Sequence, residues 1–93
     1  MNKEYLIKII STQTDMTKKE VALVLTTSLE VIMETVARGE TVRLVGFGSF
    51  HVHKRNKRLG RNPNTGKPIE IPSSNSPKFS VGKFFKQRVN LID

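Results

Sequence analysis

Residues 54–67 hold six cations (Lys54, Arg55, Lys57, Arg58, Arg61 and Lys67) and no acid. Three are arginines spaced three apart, and guanidinium, a planar fork of donors, suits phosphate and minor-groove contacts beyond what solubility requires. That is the chemistry of polyanion binding. The charge balance of the whole chain agrees with it. Residues 1–50 carry six Lys/Arg and six acids, whereas the rest carries ten Lys/Arg against only Glu70 and Asp93, so the net charge of +8 sits in the second half. An excess confined to one half implies a basic surface, whose first partner is nucleic acid and whose second is an acidic membrane.

Other chemistries find little support. Gly60 to Lys67 superficially suggests a nucleotide-binding P-loop, but five residues separate Gly60 from Gly66 and Pro68 stands where the hydroxyl is needed. His51 and His53 lie two apart on one strand face without nearby acid or thiol partners, which predicts exposed strand histidines and no metal site. Ser49 near His51 lacks both an acid to orient the imidazole and a nucleophile elbow, so no catalytic residue is expected and the protein is read as non-enzymatic. The absence of cysteine excludes a disulfide scaffold, a thiol nucleophile and thiolate metal sites. Phe84-Phe85-Lys86 has too short an apolar face for a membrane-surface helix and reads as core packing. No apolar run is long enough to span a bilayer, and Met-Asn-Lys-Glu opens without a long apolar core behind it, so neither a membrane span nor a secretory signal is expected. No cofactor and no small-molecule substrate are implied.

The elements that must carry the basic segment follow from periodicity. Asn2 can cap a helix in which Tyr5, Leu6, Ile9 and Ile10 share a face. Thr17-Lys18-Lys19-Glu20 is a T-x-x-E capping box, with Met16 and Val21 placed as a hydrophobic staple. Behind it Val21, Val24, Leu25, Leu29, Ile32, Met33 and Val36 form a continuous apolar stripe. Gly39 suits the left-handed position past the helix end, which predicts a second helix over residues 18–38. After Gly39 the period falls to two: Val42 and Leu44 alternate, Gly46-Phe47-Gly48 marks a tight turn, and Phe50 and Val52 return as a hairpin with one buried face. Asn62-Pro63-Asn64-Thr65-Gly66 is a turn, with Pro63 fixing φ and Gly66 supplying a positive φ. Ile69 and Ile71 alternate on the way back between Pro68 and Pro72, as in a two-stranded ribbon with an unpaired edge. Residues 73–77 read as a polar connection. Phe79 and Val81 make a short last strand, and Gly82 leads into a closing helix carrying Phe84, Phe85, Val89 and Leu91.

A ribbon of about ten residues per strand reaches roughly 33 Å, long enough to follow a groove around a duplex. If residues 54–77 are an arm, about 67 residues remain for the body, which is marginal for a lone domain. Five phenylalanines serve that small body. Dimerisation is the expected remedy.

These residues carry a resemblance. Gly46-Phe47-Gly48-Ser49-Phe50, then Arg55, then Arg58-Leu59-Gly60-Arg61-Asn62-Pro63-Asn64-Thr65-Gly66-Lys67 resembles the signature of the HU/IHF family of bacterial histone-like DNA-bending proteins. The likeness extends from Met-Asn-Lys to Pro77-x-Phe79-x-x-Gly82-Lys83. It implies an α+β fold: an N-terminal helical hairpin, a three-stranded antiparallel saddle sheet with a protruding β-ribbon arm, and a short C-terminal helix, in an intertwined dimer. The chain would be one domain over residues 1–93, with a helical base (1–40), saddle sheet and closing helix (41–53 and 78–93) and a DNA-binding arm (54–77). In that family the arm-tip proline, matched by Pro63, wedges between base pairs and kinks the duplex in the minor groove; this mechanism comes with the resemblance. Arg55, Arg58 and Arg61 resemble the arm cations that track the sugar–phosphate backbone, Asn62 the residue beside the wedge, and Lys67 the start of the return strand. Lys83 and Lys86 resemble lysines that hold flanking DNA, with Lys3 a weaker candidate. Phe47, Phe50 and Phe79 match the aromatic core of the dimer interface. Residues 73–76 depart from the pattern, being more polar than the alanine-rich version common in HU.

The resemblance therefore implies non-sequence-specific bending and compaction of double-stranded DNA by a homodimer, in the nucleoid of a bacterial cytoplasm or of a plastid. The alternatives are a sequence-preferring integration-host-factor-like subunit of a heterodimer and, from another class, a protein whose basic arm docks an acidic partner.

Overall fold

A computed structural model of the protein describes residues 1–92. The order of elements is α1 (Lys3–Thr14), α2 (Lys18–Ala37), β1 (Val42–Leu44), β2 (Gly48–Arg55), β3 (Arg58–Arg61), β4 (Pro68–Ile71), β5 (Ser74–Val81) and α3 (Lys83–Val89). The chain divides into two compact units, Met1–Glu34 and Thr35–Asp93.

In the first unit both helix starts are capped as the sequence predicts. The Asn2 side chain accepts from the Tyr5 amide at 2.9 Å. The Glu20 amide donates to Thr17 Oγ1 at 3.1 Å, and the Thr17 amide donates back to Glu20 Oε1 at 3.4 Å, closing the capping box. α1 ends at Asp15 in the left-handed region (φ 57°), which the short polar side chain of Asp tolerates. The apolar stripe of α2 is not covered within the chain. Val21 and Val36 are buried, at 3% and 7% exposure, but Val24, Leu29 and Met33 stay exposed and Leu25 and Ile32 only half-buried. One chain does not bring enough apolar surface to face a 20-residue amphipathic helix on its whole inner side.

The second unit holds two antiparallel sheets. β1, β2 and β5 form a three-stranded sheet in that order, and β3 pairs with β4 as a separate ribbon. The first hairpin turns one residue earlier than Gly46-Phe47-Gly48 suggested. Residues 45–47 form the loop, the Phe47 amide donates to the Leu44 carbonyl at 3.0 Å, and Gly46 takes φ 83°. Phe47 is thus the last residue of the turn, and its ring packs on Phe79 and Phe85. The larger correction concerns residues 73–77, of which only Ser73 belongs to a connection. Ser74 opens β5, which pairs with β2 without interruption from Arg55↔Ser74 to Gly48↔Val81. Serines and Asn75 disguise this strand, because its hydrogen bonds come from the backbone and no apolar alternation marks it. The ladder breaks only at residues 56–57 and 72–73, where Pro72 has no amide to give. The ribbon beyond the break has four residues per strand, shorter than the ten expected. α3 stops at Val89, so Leu91 lies past its end.

Candidate nucleic-acid interface

Side chains on a strand alternate between faces, and residues opposite one another in a ladder share a face. The observed register therefore sorts the three-stranded sheet into two unlike surfaces. One carries Val42, Leu44, Phe50, Val52, Phe79 and Val81. On it the ring of Phe79 lies 4.9 Å from Phe50, 5.2 Å from Phe47 and 6.4 Å from Phe85, and Phe47 stacks on Phe85 at 5.4 Å. Rings at these separations are in favourable tilted or offset contact. Gly82 lets this cluster close: its amide donates to the Phe47 carbonyl at 2.7 Å, and a Cβ there would stand 2.8 Å from that carbonyl group. Phe47, Phe50 and Phe79 are thus brought together, with Phe85 as a fourth member that the sequence reading left in a helix of its own. Even so, Phe79 remains 40% exposed in the single chain.

The arm cations lie in the ribbon and at its root. Arg55 faces Ser74 at the end of the three-stranded sheet. In the ribbon, Arg58 faces Ile71 and shares a side with Gly60 and Ile69, whereas Arg61 faces Pro68 and shares the other side with Leu59 and Glu70. The two arginines therefore project from opposite faces of one ribbon. Gly60 sits under the isoleucines, where a Cβ would meet Ile71 Cδ1 at 2.8 Å. Leu59 is 79% exposed. Lys57 is paired with Glu70 across the ribbon, and among the described residues the other five cations of the segment have no ion pair. Their positive charge is uncompensated.

The tip is held by local hydrogen bonds. The Asn62 amide donates to the Lys67 carbonyl at 2.9 Å, and the Gly66 amide to the Asn62 carbonyl at 2.7 Å, with Gly66 at φ 67°. The Asn62 side chain accepts from the Asn64 amide at 2.9 Å, an Asx turn that spans Pro63. Lys67 donates its amide to Thr65 Oγ1 at 3.3 Å. Pro63 is exposed at the apex of this turn. A turn bonded at both ends with a proline inside presents an apolar ring at little further entropic cost.

The remaining candidates lie elsewhere. Lys83 and Lys86 stand three apart on α3, so they neighbour each other on one helix side. Lys3 begins α1 in the other unit. There Lys8, Lys18 and Lys19 line an open depression together with Asn2, Glu4 and Tyr5, a cluster that single-residue reading missed because its members come from two helices. Among the described residues no group of three or more metal-ligating side chains occurs, and no helix is long and apolar enough to cross a membrane.

Comparison with known proteins matches residues 1–90 to the family described as bacterial DNA-binding protein. The chain is 44% identical over 92 residues to the DNA-binding protein HU of Buchnera aphidicola, covering 99% of this chain and all of that one. It is 47% identical over 89 residues to the DNA-binding protein HU of Staphylococcus aureus, covering 96% and 99% of the two chains. Among solved structures, HU from an Anabaena HU–DNA cocrystal superposes with a TM-score of 0.85 at 46% identity, covering 96% of this chain and 97% of that one. HU from Thermotoga maritima superposes with a TM-score of 0.68 at 36% identity, covering 96% and 98%. With the family matched over residues 1–90 and a relative 44% identical along its full length, the chain belongs to the bacterial DNA-binding protein family.

Proposed function

We propose that this protein is a non-enzymatic, non-sequence-specific architectural protein that binds double-stranded DNA as a homodimer and bends and compacts it through minor-groove arms made of residues 54–77. The observation that carries the reading is the ribbon, with unpaired arginines on both faces and a proline at a hydrogen-bonded tip. A ribbon entering a groove edge-first turns one face to each wall. Arg58 then meets the phosphates of one strand and Arg61 those of the other, while Arg55 and Lys67 add charge at the root and near the tip. Minor-groove edges distinguish base pairs poorly, so such contacts hold DNA with little regard to sequence. The Pro63 ring, flanked by Asn62 and Asn64, is placed to enter a base step, and opening that step costs a few kcal/mol that the backbone contacts offset.

Dimerisation follows from the aromatic cluster, in which Phe47 and Phe79 are exposed and Phe50 is half-buried, and from the uncovered stripe on α2. Lys83, Lys86 and Lys3 then supply charge for DNA leaving the arms. The HU name of the relatives, and the solution of one of them with DNA, support this reading over a site-specific heterodimer. A nucleoid location follows from the partner. The decisive experiment is a salt titration of binding to a random-sequence duplex. Release of counterions gives a steep linear fall of log affinity with log salt, about 0.9 per phosphate contact, whereas docking on an acidic protein patch gives no such duplex binding.

A further inference from the structure

One residue of the ribbon is out of keeping with the charge around it. Glu70, in β4, is the only acid between Glu40 and Asp93, a stretch that holds eleven Lys/Arg. By register it stands opposite Leu59, on the face that also holds Arg61 and Pro68. Leu59 is exposed, so that face is open to solvent. Lys57 lies in the break of the ladder just ahead of β3, two residues before Leu59. Alternation puts it on the same face, diagonally across from Glu70 and within reach of a long side chain. The Lys57 ammonium pairs there with Glu70 Oε1. Both side chains are well exposed, at 65% and 57%. An ion pair so open to water adds little to stability, and the ribbon already has its own ladder and the isoleucines over Gly60. What the pair changes is the charge left for a partner.

We infer that Glu70 is a built-in rival of DNA phosphate that limits the arm's grip: it occupies Lys57, so each arm meets DNA with five free cations of the six in residues 54–67. The inference rests on the proposed DNA-binding function and adds the residue that restrains it. A carboxylate and a phosphate diester offer an ammonium the same thing, anionic oxygens that accept a charge-assisted hydrogen bond. Glu70 is tethered beside Lys57, whereas a phosphate reaches Lys57 only by displacing it. Displacement bares a carboxylate on the open face that holds Arg61, where it repels the phosphates that Arg61 attracts. The gain of a Lys57–phosphate contact is thus offset by the cost of exposing Glu70 unpaired. A neutral pair also releases no counterion on binding, so it adds nothing to the salt slope. Among the described residues Arg55, Arg58 and Arg61 have no such rival. The basic segment is therefore weaker than its cation count.

The test measures affinity of the full-length protein for a random-sequence duplex over a series of salt concentrations. Glu70→Gln frees Lys57 and should bind about tenfold tighter at moderate salt, with a slope steeper by about two per dimer, one for each arm. That is a gain an unfolded variant cannot give. Lys57→Gln combined with Glu70→Gln removes the cation together with its rival, and should keep the wild-type affinity and slope. The exchange Lys57→Glu with Glu70→Lys rebuilds the pair with its ends reversed and should also match the wild type. A Glu70→Gln variant with unchanged affinity and slope overturns the inference. So does a double Gln variant whose slope falls by about two, since Lys57 would then touch phosphate in the wild type. A charge exchange that weakens binding tenfold overturns it as well, because the two positions would then act on DNA separately. Each of these results leaves DNA binding intact. Absence of wild-type duplex binding at every salt concentration overturns the proposed function itself, and the two failures are thereby distinguished.

Discussion

The two sheets of the second unit are built on different physics. The three-stranded sheet is organised by side chains that touch. Four phenylalanine rings lock β2, β5, the first turn and α3 together, and Gly82 is held against the Phe47 backbone with no room for a methyl group. The ribbon is organised by backbone bonds and a turn, with two isoleucines over Gly60 as its main apolar contact and mostly polar or charged residues elsewhere. A segment with the groove-binding role proposed above cannot bury its own surface, because that surface is what it would offer. Its order must come from local hydrogen bonding, and its stability from the root that β5 shares with β2.

This contrast can be broken in several ways. Phe79 touches three other rings, so Phe79→Ala should cost about 3 kcal/mol and leave too little to hold a dimer of so small a chain. In the wild type the thermal midpoint should rise with protein concentration, and a midpoint constant over about a hundredfold dilution would show that one chain stands alone. Glycine replacements sharpen the comparison. Gly82→Ala drives a methyl group into backbone and should lower stability by about 2 kcal/mol, whereas Gly60→Ala meets only the end of the Ile71 side chain, which can turn away, and should cost less than about 1 kcal/mol. Chemical denaturation of the two variants decides it, and equal losses would mean that the ribbon is packed as rigidly as the body.

The arm should in turn dominate binding without touching stability. Arg58→Ala or Arg61→Ala should weaken binding equally on all sequences and lower the salt slope by about one per lost contact, hence about two per dimer. Loss on one sequence alone, with the slope kept, would indicate base reading. Pro63→Ala removes no charge, so it should leave affinity and slope nearly intact while straightening the duplex, read by energy transfer between labelled ends at equal occupancy. An unchanged bend would reduce Pro63 to a turn residue.

Much of this was legible in the residues. The caps at Asn2 and Thr17, the positive φ at Gly39 and Gly66, and the turn around Pro63 are set within five residues of chain, and all were found. Local sequence also gave the basic segment, since charge needs no partner to be counted. It failed at residues 73–77 because a strand of serine, asparagine and proline has no apolar alternation to betray it. Only the ladder to β2, formed with residues some twenty positions away, makes it a strand.

Sequence by itself determined where the helices begin, where the chain turns, and that the second half carries the whole net positive charge, because caps, turns and net charge are local or additive properties. Tertiary structure decided which side chains stand together. Pairing of β2 with β5 put Phe50 beside Phe79 on one face and His51 beside Lys78 on the other, and pairing of β3 with β4 placed Arg58 and Arg61 on opposite sides. The reason is the two-residue period of a strand. Shifting a register by one residue exchanges every face, and no local property of either strand says which register the other will take.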